Sequence, residues 1–345
     1  FRRSMRFLFT RLLILFLLLG CGGSEDDQSQ ELDNAPVITS IEVYVSSEEI
    51  IVGQQVLFSV FDNTGKNRTT EAKFYVNDSE IDGSSHTFND VGTFDIYAKF
   101  QNLKSNTEQV EVNQVPVEYK QYVLVEDYTG TWCGYCTRVS FAIEELKKQT
   151  NDAVVIAIHQ GDPMQFPLEA TLRSHFGVTG FPTAFVDRKA RWAPPEPSSL
   201  DQVLGKLTNK AYAALAMESS LDGDILTIKV KLKMGYNYKA LRLGLYIVED
   251  KLVYDQRNWT SYYQGDPIKN FEHNDVLRKN ITGLLGDQIP SESLGHEKEF
   301  EKEFQYVIPS EFNKDNIRMI AFVTEASKKE TINVRSSKIG ESQSF

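Results

Sequence analysis

Two cysteines three apart, in the run Thr131-Trp132-Cys133-Gly134-Tyr135-Cys136, are the residues of this chain best suited to chemistry. A Cys-x-x-Cys pair exchanges with other disulfides or supplies half of a zinc site. The chain holds 3 cysteines, with no second pair and no histidine at finger-like spacing. Exchange chemistry is therefore favoured, and no metal or other cofactor is expected. The nucleophile in that exchange is a thiolate. An apolar run, Tyr122 to Val125, precedes the motif, and an amphipathic stretch follows it. In that stretch Phe141, Ile143 and Leu146 recur at helical spacing, with Glu144, Glu145, Lys147 and Lys148 outside. Cys133 then falls at a helix N-terminus, where the dipole and free backbone N–H groups favour a thiolate. Cys136, one turn further, is placed to attack a mixed disulfide and release the product.

The elements around the pair have a recognisable order. Val154-Val155-Ile156-Ala157-Ile158 reads as a buried parallel strand. Leu168 to Phe176 reads as a helix, followed by Gly180-Phe181-Pro182-Thr183 and an apolar strand, Ala184-Phe185-Val186. A last helix is expected from Leu200 to Met217, with Ser198 and Asp201 as its capping box. This order over residues 118–217 resembles the thioredoxin fold. The resemblance implies that Cys133 is the exposed attacker, Cys136 the buried resolver, and Trp132 a shield for the site. It also implies a cis Phe181-Pro182 bond beside the sulfurs, where an extended substrate strand pairs. Trp132, Tyr135, Phe181 and Pro182 are thus the expected substrate-binding residues. Asp127, six residues before Cys133, matches in spacing the carboxylate that takes the resolving cysteine's proton; the alternative is a solvated strand-end carboxylate. The dipeptide Gly134-Tyr135 is the one found in periplasmic disulfide isomerases, which implies a less reducing poise than thioredoxin's. His159 and Asp162 end the neighbouring strand and flank the site.

The rest of the chain tells where such chemistry would happen. Arg2, Arg3, Arg6 and Arg11 precede an apolar run of eight, Leu12 to Leu19. Eight helical residues rise about 12 Å, too little to span a membrane, and so residues 1–20 read as a signal peptide. Leu18-Leu19-Gly20-Cys21 resembles a bacterial lipobox, which implies that Cys21 becomes an acylated N-terminus; an ordinary secretory signal is the alternative. Residues 21–35 are an acidic tether without apolar periodicity. Residues 36–114 show short alternating strands with turn residues between them, a pattern that resembles a bacterial immunoglobulin-like β-sandwich. A stalk and a ligand-binding module are both open for it.

Beyond Glu218, Leu226, Ile228, Val230, Leu232 and Met234 alternate with polar residues, and Leu241, Leu243, Leu245 and Ile247 do likewise. A C-terminal antiparallel β-rich domain with one wet face is expected over 218–340. The segment 252–297 reads as a long loop, in which Glu272, His273 and Asp275 either bind a metal or order the loop. The stretches EDYTGTWCGYC, AIHQGDP, FGVTGFPTAFVDR and FEHNDVLRKNITGLLGD, behind a lipobox, resemble the outer membrane protein 28-related lipoproteins. That family joins a thioredoxin-like domain to a β-rich region on bacterial outer membranes. The chain is thus expected to be multidomain: β-sandwich, α/β thioredoxin-like fold, and antiparallel β.

Composition agrees with this class. The chain has 345 residues, 41% of them hydrophobic, and a net charge of −11. Removing residues 1–20, which carry four arginines and no acid, leaves −15. No basic cluster lies outside the first eleven residues, which argues against nucleic acid as partner. Two functions compete. One is an envelope-anchored thiol–disulfide oxidoreductase, of reductase or isomerase type. Its partners would be exported proteins with thiols or disulfides, an unidentified redox partner, and the membrane through lipid on Cys21. The other is a surface binding or adhesion lipoprotein that uses the fold as a scaffold.

Overall fold

The computed structural model describes residues 37–345. The expected signal peptide, Cys21 and the acidic tether lie outside the described residues.

Residues 41–113 form a β-sandwich. One sheet pairs Ile41–Val45, Gln55–Asp62 and Ser85–Thr87; the other is built around Gly92–Phe100, with Glu108–Asn113 and Lys73–Val76 beside it. Alternation puts Val43, Val56, Phe58, Val60, Phe74, Ile96 and Val110 into one core. The sandwich meets the rest of the chain through Asn237 Nδ2, which donates to Asn113 Oδ1 at 2.7 Å, and through Tyr236 and Glu49.

The remaining residues are built around a nine-stranded sheet, with smaller sheets beside it. The elements of this region, in chain order, are β1 (Val123–Thr129), α1 (Thr137–Gln149), β2 (Ala153–His159), α2 (Glu169–His175), β3 (Thr183–Val186) and β4 (Ala190–Arg191). After α3 (Asp201–Leu204) come β5 (Ala213–Asp222), β6 (Ile225–Met234), β7 (Leu241–Glu249), β8 (Leu252–Gln256), β9 (Ile268–His273) and β10 (Val276–Asn280). The last three are β11 (Glu299–Val307), β12 (Ile317–Glu325) and β13 (Thr331–Lys338). The main sheet runs β4-β3-β1-β2-β10-β7-β12-β13, with Asp287–Gln288 beside β7. β1 lies parallel to β2 and antiparallel to β3, so Asp127 sits level with Ala157 on one side and Ala184 on the other. Every residue of β1 and β2 is buried, as a central strand covered on both faces requires. α1 covers one face with Val139, Ala142 and Leu146 against Val123, Val125 and Val155.

Four expectations need correction. The segment 252–297 is not one long loop: it supplies the paired strands β8 and β9 and the main-sheet strand β10. The helix over 200–217 stops at Leu204, continues as a single 3-10 turn to Thr208, and then becomes extended. Ala213 to Met217 are good helix formers, but they pair along β6, Ala213 opposite Met234 and Met217 opposite Val230, and are buried there. Tertiary pairing overrides local propensity. Ser198 lies in a separate 3-10 turn, and no side chain caps α3. The division at 217/218 falls inside β5, and the thioredoxin-like strands continue through β10 into β7, β12 and β13 as one sheet. Finally, of the two strands expected to have a wet face, β6 keeps one and β7 does not. The β7 strand is buried almost throughout. Leu243, Leu245 and Ile247 pack onto the β5-β6-β11 sheet, and Tyr246 and Val248 join Tyr128 and Ile156 on the other side. Among the described residues no helix is long and apolar enough to cross a membrane.

Candidate functional site

Cys133 and Cys136 are joined as a disulfide, with Cα atoms 5.4 Å apart. The backbone turns tightly around them: Cys133 N–H donates to Gly130 O at 3.0 Å and Cys136 N–H to Cys133 O at 3.1 Å. Cys136 is the residue that enters α1, and its carbonyl accepts from Val139 and Ser140. The pair therefore stands at the helix N-terminus, where its spacing put it.

Neither cysteine is open. Cys133 is 5% exposed and Cys136 1%, so the expectation of an exposed Cys133 is corrected. The cover is the end of β8 and the segment that follows it. Gln256 Nε2 donates to Cys133 O at 3.0 Å, Arg257 N–H to Thr131 O at 2.8 Å, and Trp259 N–H to Gly134 O at 2.8 Å. Asn258 Oδ1 accepts from Thr137 Oγ1 at 2.9 Å, just inside α1. The strap thus pairs its backbone with the motif. A Cβ on Gly134 would lie 2.3 Å from the Trp259 ring, which is why glycine is needed there.

Around this seal stands an aromatic rim. Trp132, Tyr135 and Trp259 are 45%, 53% and 57% exposed. Trp132 meets Phe181 edge-on at 5.5 Å, and Tyr135 meets Trp259 at 5.4 Å. The indole N–H of Trp132 donates to Gln160 O at 2.7 Å, fixing the ring across Gly130 and Gly161. Phe181-Pro182 is cis. The four expected substrate-binding residues thus lie around the motif, and Trp259 joins them. Sequence reasoning missed Trp259, Gln256 and Asn258, because their segment has no apolar period; the density Trp259-Thr260-Ser261-Tyr262-Tyr263 was the one available signal.

Asp127 is buried, on the face of β1 that α1 covers, and its Oδ1 has no hydrogen-bond partner. The solvated alternative is thereby excluded. Burial pushes its carboxyl well above the usual range; the negative charges of Glu196 and Asp275 add to this, and Arg138 opposes it. Asp127 closes the floor of a cleft of about 110 Å³ that also touches Ser140, His159 and His273.

His159 Nδ1 lies 2.7 Å from Asp162 Oδ2, and the same carboxylate accepts from Thr131 N–H at 2.9 Å and Met164 N–H at 2.8 Å. Burial raises the Asp162 carboxyl, but the His159 bond and these two N–H groups more than offset it and hold it low. Their evident work is to fix the turn ahead of the cysteines. Asp275 is taken by Lys147 at 2.5 Å and Arg318 at 2.6 Å. Among the described residues no three His, Cys, Asp or Glu side chains are grouped to hold a metal; Asp275 ties its segment to α1 and β12 through those two ion pairs.

The family model described as outer membrane protein Omp28 matches residues 169–343, half of the chain. The chain belongs to the Omp28 outer membrane protein family. The thioredoxin model matches residues 101–198. Among solved structures, the chain is similar to HBP35 of Porphyromonas gingivalis at 18% identity and a TM-score of 0.53, over 64% of this chain and 76% of that one. It is also matched to a domain of the outer membrane lipoprotein Omp28 from Porphyromonas gingivalis, at 20% identity and a TM-score of 0.26, over 38% and 89% of the two chains. No curated protein matches it. In this Omp28-family chain the region matched to Omp28 overlaps the thioredoxin match, and it supplies Phe181, Pro182 and the strap over the disulfide.

Proposed function

We propose that this Omp28-family protein is an envelope thiol–disulfide oxidoreductase, of reductase or isomerase type, acting on exported proteins. The observation that carries the reading is a conjunction. A two-cysteine couple stands at the N-terminus of α1, and a buried carboxyl with an unpartnered oxygen lies on the strand beneath that helix. In the reducing direction the Cys133 thiolate attacks one sulfur of a substrate disulfide and expels the other as a thiolate. Cys136 passes its proton to Asp127 and attacks Cys133 Sγ. The second substrate sulfur leaves, two electrons have moved to the substrate, and Cys133–Cys136 is again a disulfide. A dithiol partner must return those electrons. Trp132, Tyr135, Phe181 and Trp259 give an extended substrate segment apolar surface to lie on. Lipid on Cys21 would hold the protein at the outer membrane.

The burial of Cys133 favours a second reading, a surface-binding scaffold with an inert disulfide. A Cys-x-x-Cys bridge closes too short a loop to add much chain-entropy stability, which weighs against that reading. Insulin-disulfide reduction by the full-length protein separates the two. Turnover that vanishes in Cys133→Ser is expected. A wild-type protein that gives no turnover, and whose pair resists dithiothreitol under native conditions, leaves the scaffold.

A further inference from the structure

The proton that Asp127 takes from Cys136 either returns there when the pair is re-reduced or has to be carried out of the interior. We propose that the cleft beneath α1 is a proton path, and that His273, from the Omp28-matched half of the chain, relays the proton between Asp127 and solvent. This rests on the redox reading above.

The geometry supports it on three counts. First, Asp127 and His273 line the same cleft, and Asp127 Oδ1 and His273 Nε2 are buried atoms without a hydrogen-bond partner. At about 110 Å³ the cleft has room for water between them. Its rim is exposed and charged, with Glu144, Lys147 and Glu272, so it leads outward.

Second, the charged groups that act on Asp127 are already paired. From α1, Arg138 is bonded to Glu196 of the 3-10 turn, and Lys147 to Asp275 after β9. Asp275 is also held by Arg318 of β12, and the Nδ1 of His159 on β2 is held by Asp162. His273 stands edge-on to His159 at 5.3 Å and keeps a ring nitrogen free.

Third, the imidazole is in the form a relay requires. Burial, reinforced by His159 and opposed by Asp162 and the Tyr254 backbone, brings it down to about 4. Its lone pair is therefore open at neutral pH, and an imidazolium formed there gives up its proton readily. The proton moves from Cys136 Sγ to the Asp127 carboxylate, through water to His273 Nε2, and on to water at the rim. No electrons move in this step, and reversal serves the oxidising direction.

The test is His273→Gln in the full-length protein. In dilute buffer, insulin reduction is expected to slow on the order of tenfold, with recovery on adding imidazole. Alkylation of reduced Cys133 by iodoacetamide should keep its wild-type rate, because that step needs no relay. Wild-type turnover in the variant across pH 5–9 overturns the relay, and so does a loss that imidazole does not restore. If the wild type gives no insulin turnover, the redox reading fails separately. The same comparison made with dithiothreitol reduction of Cys133–Cys136, which needs no substrate, still decides the relay. If His273→Gln does not fold, the dithiothreitol rate of the wild type in mixed light and heavy water decides it. A curved dependence on deuterium fraction is expected, and a flat one overturns the proposal.

Discussion

Glu126 and Asp127 are adjacent on one strand, equally buried, and opposite in design. Alternation turns Glu126 to the face shared with β7 and β12, where Arg188 grips it with bonds of 3.0 and 2.6 Å. The guanidinium in turn lies 4.3 Å from the Phe322 ring centre and 3.3 Å from the Tyr246 hydroxyl. Asp127 faces α1 and receives a cleft rather than a cation. Burial is therefore not what separates the two carboxyls. The partner separates them: a fixed counter-charge locks one protonation state, whereas a cleft that opens outward leaves both within reach.

The largest expected effect breaks the structural half of the pair. Arg188→Met leaves Glu126 buried without its cation and should cost about 3–5 kcal/mol in urea unfolding. Adding Glu126→Leu should return most of that loss, since a buried ion pair replaced on both sides is often neutral. A double variant as unstable as the single one would mean that the two residues do not act as a pair.

Asp127→Asn should do the reverse. Its folded-state carboxyl is raised above the unfolded value, so the native state holds the proton more tightly. Stability from this group is full below about pH 3.9 and is lost as pH rises toward the folded value. The asparagine variant should therefore gain on the wild type with increasing pH above that point. If the proposed redox function holds, turnover should fall roughly 100-fold, because the resolving thiol would lose its base. Parallel stability curves for the two proteins would show that Asp127 is ionised and compensated after all.

This contrast was only half legible in the sequence. The Cys-x-x-Cys, the Phe181-Pro182 step and the spacing to Asp127 are local, and local patterns survive folding. Arg188 meets Glu126, and His273 meets the Asp127 cleft, only once the sheet is assembled, so no spacing reveals them. The helix expected over 200–217 failed for a related reason: Ala213 to Met217 carry helical propensity, but β6 offers a full-length partner. The strap was hard to read because two of its bonds to the motif, to Thr131 and Gly134, are made by backbone N–H groups and leave no side-chain pattern.

The strap gives a smaller prediction. The Tyr135–Trp259 contact is an aromatic pair on the rim, worth about 1 kcal/mol. Trp259→Ala should let the seal open more often and speed dithiothreitol reduction of Cys133–Cys136 on the order of fivefold. Unchanged reduction would mean that reagents reach the sulfurs by another side, and the strap would then be a packing element rather than a gate.

The smallest effect belongs to a third carboxylate, Glu218 on β5, which sits at the surface between Lys231 at 3.2 Å and Lys229 at 3.4 Å. The Lys231 bond, then the Lys229 bond, hold its carboxyl below the ordinary value. That shift resembles a stabilising contact, but water competes for all three side chains and salt screens them. Glu218→Gln should leave the urea midpoint unchanged within error, and any difference at low salt should vanish at 1 M salt. A large, salt-resistant loss would mean that an exposed pair can do what the Arg188–Glu126 pair does. In that case the partner alone would set the role of a carboxylate in this chain, and its burial would count for nothing.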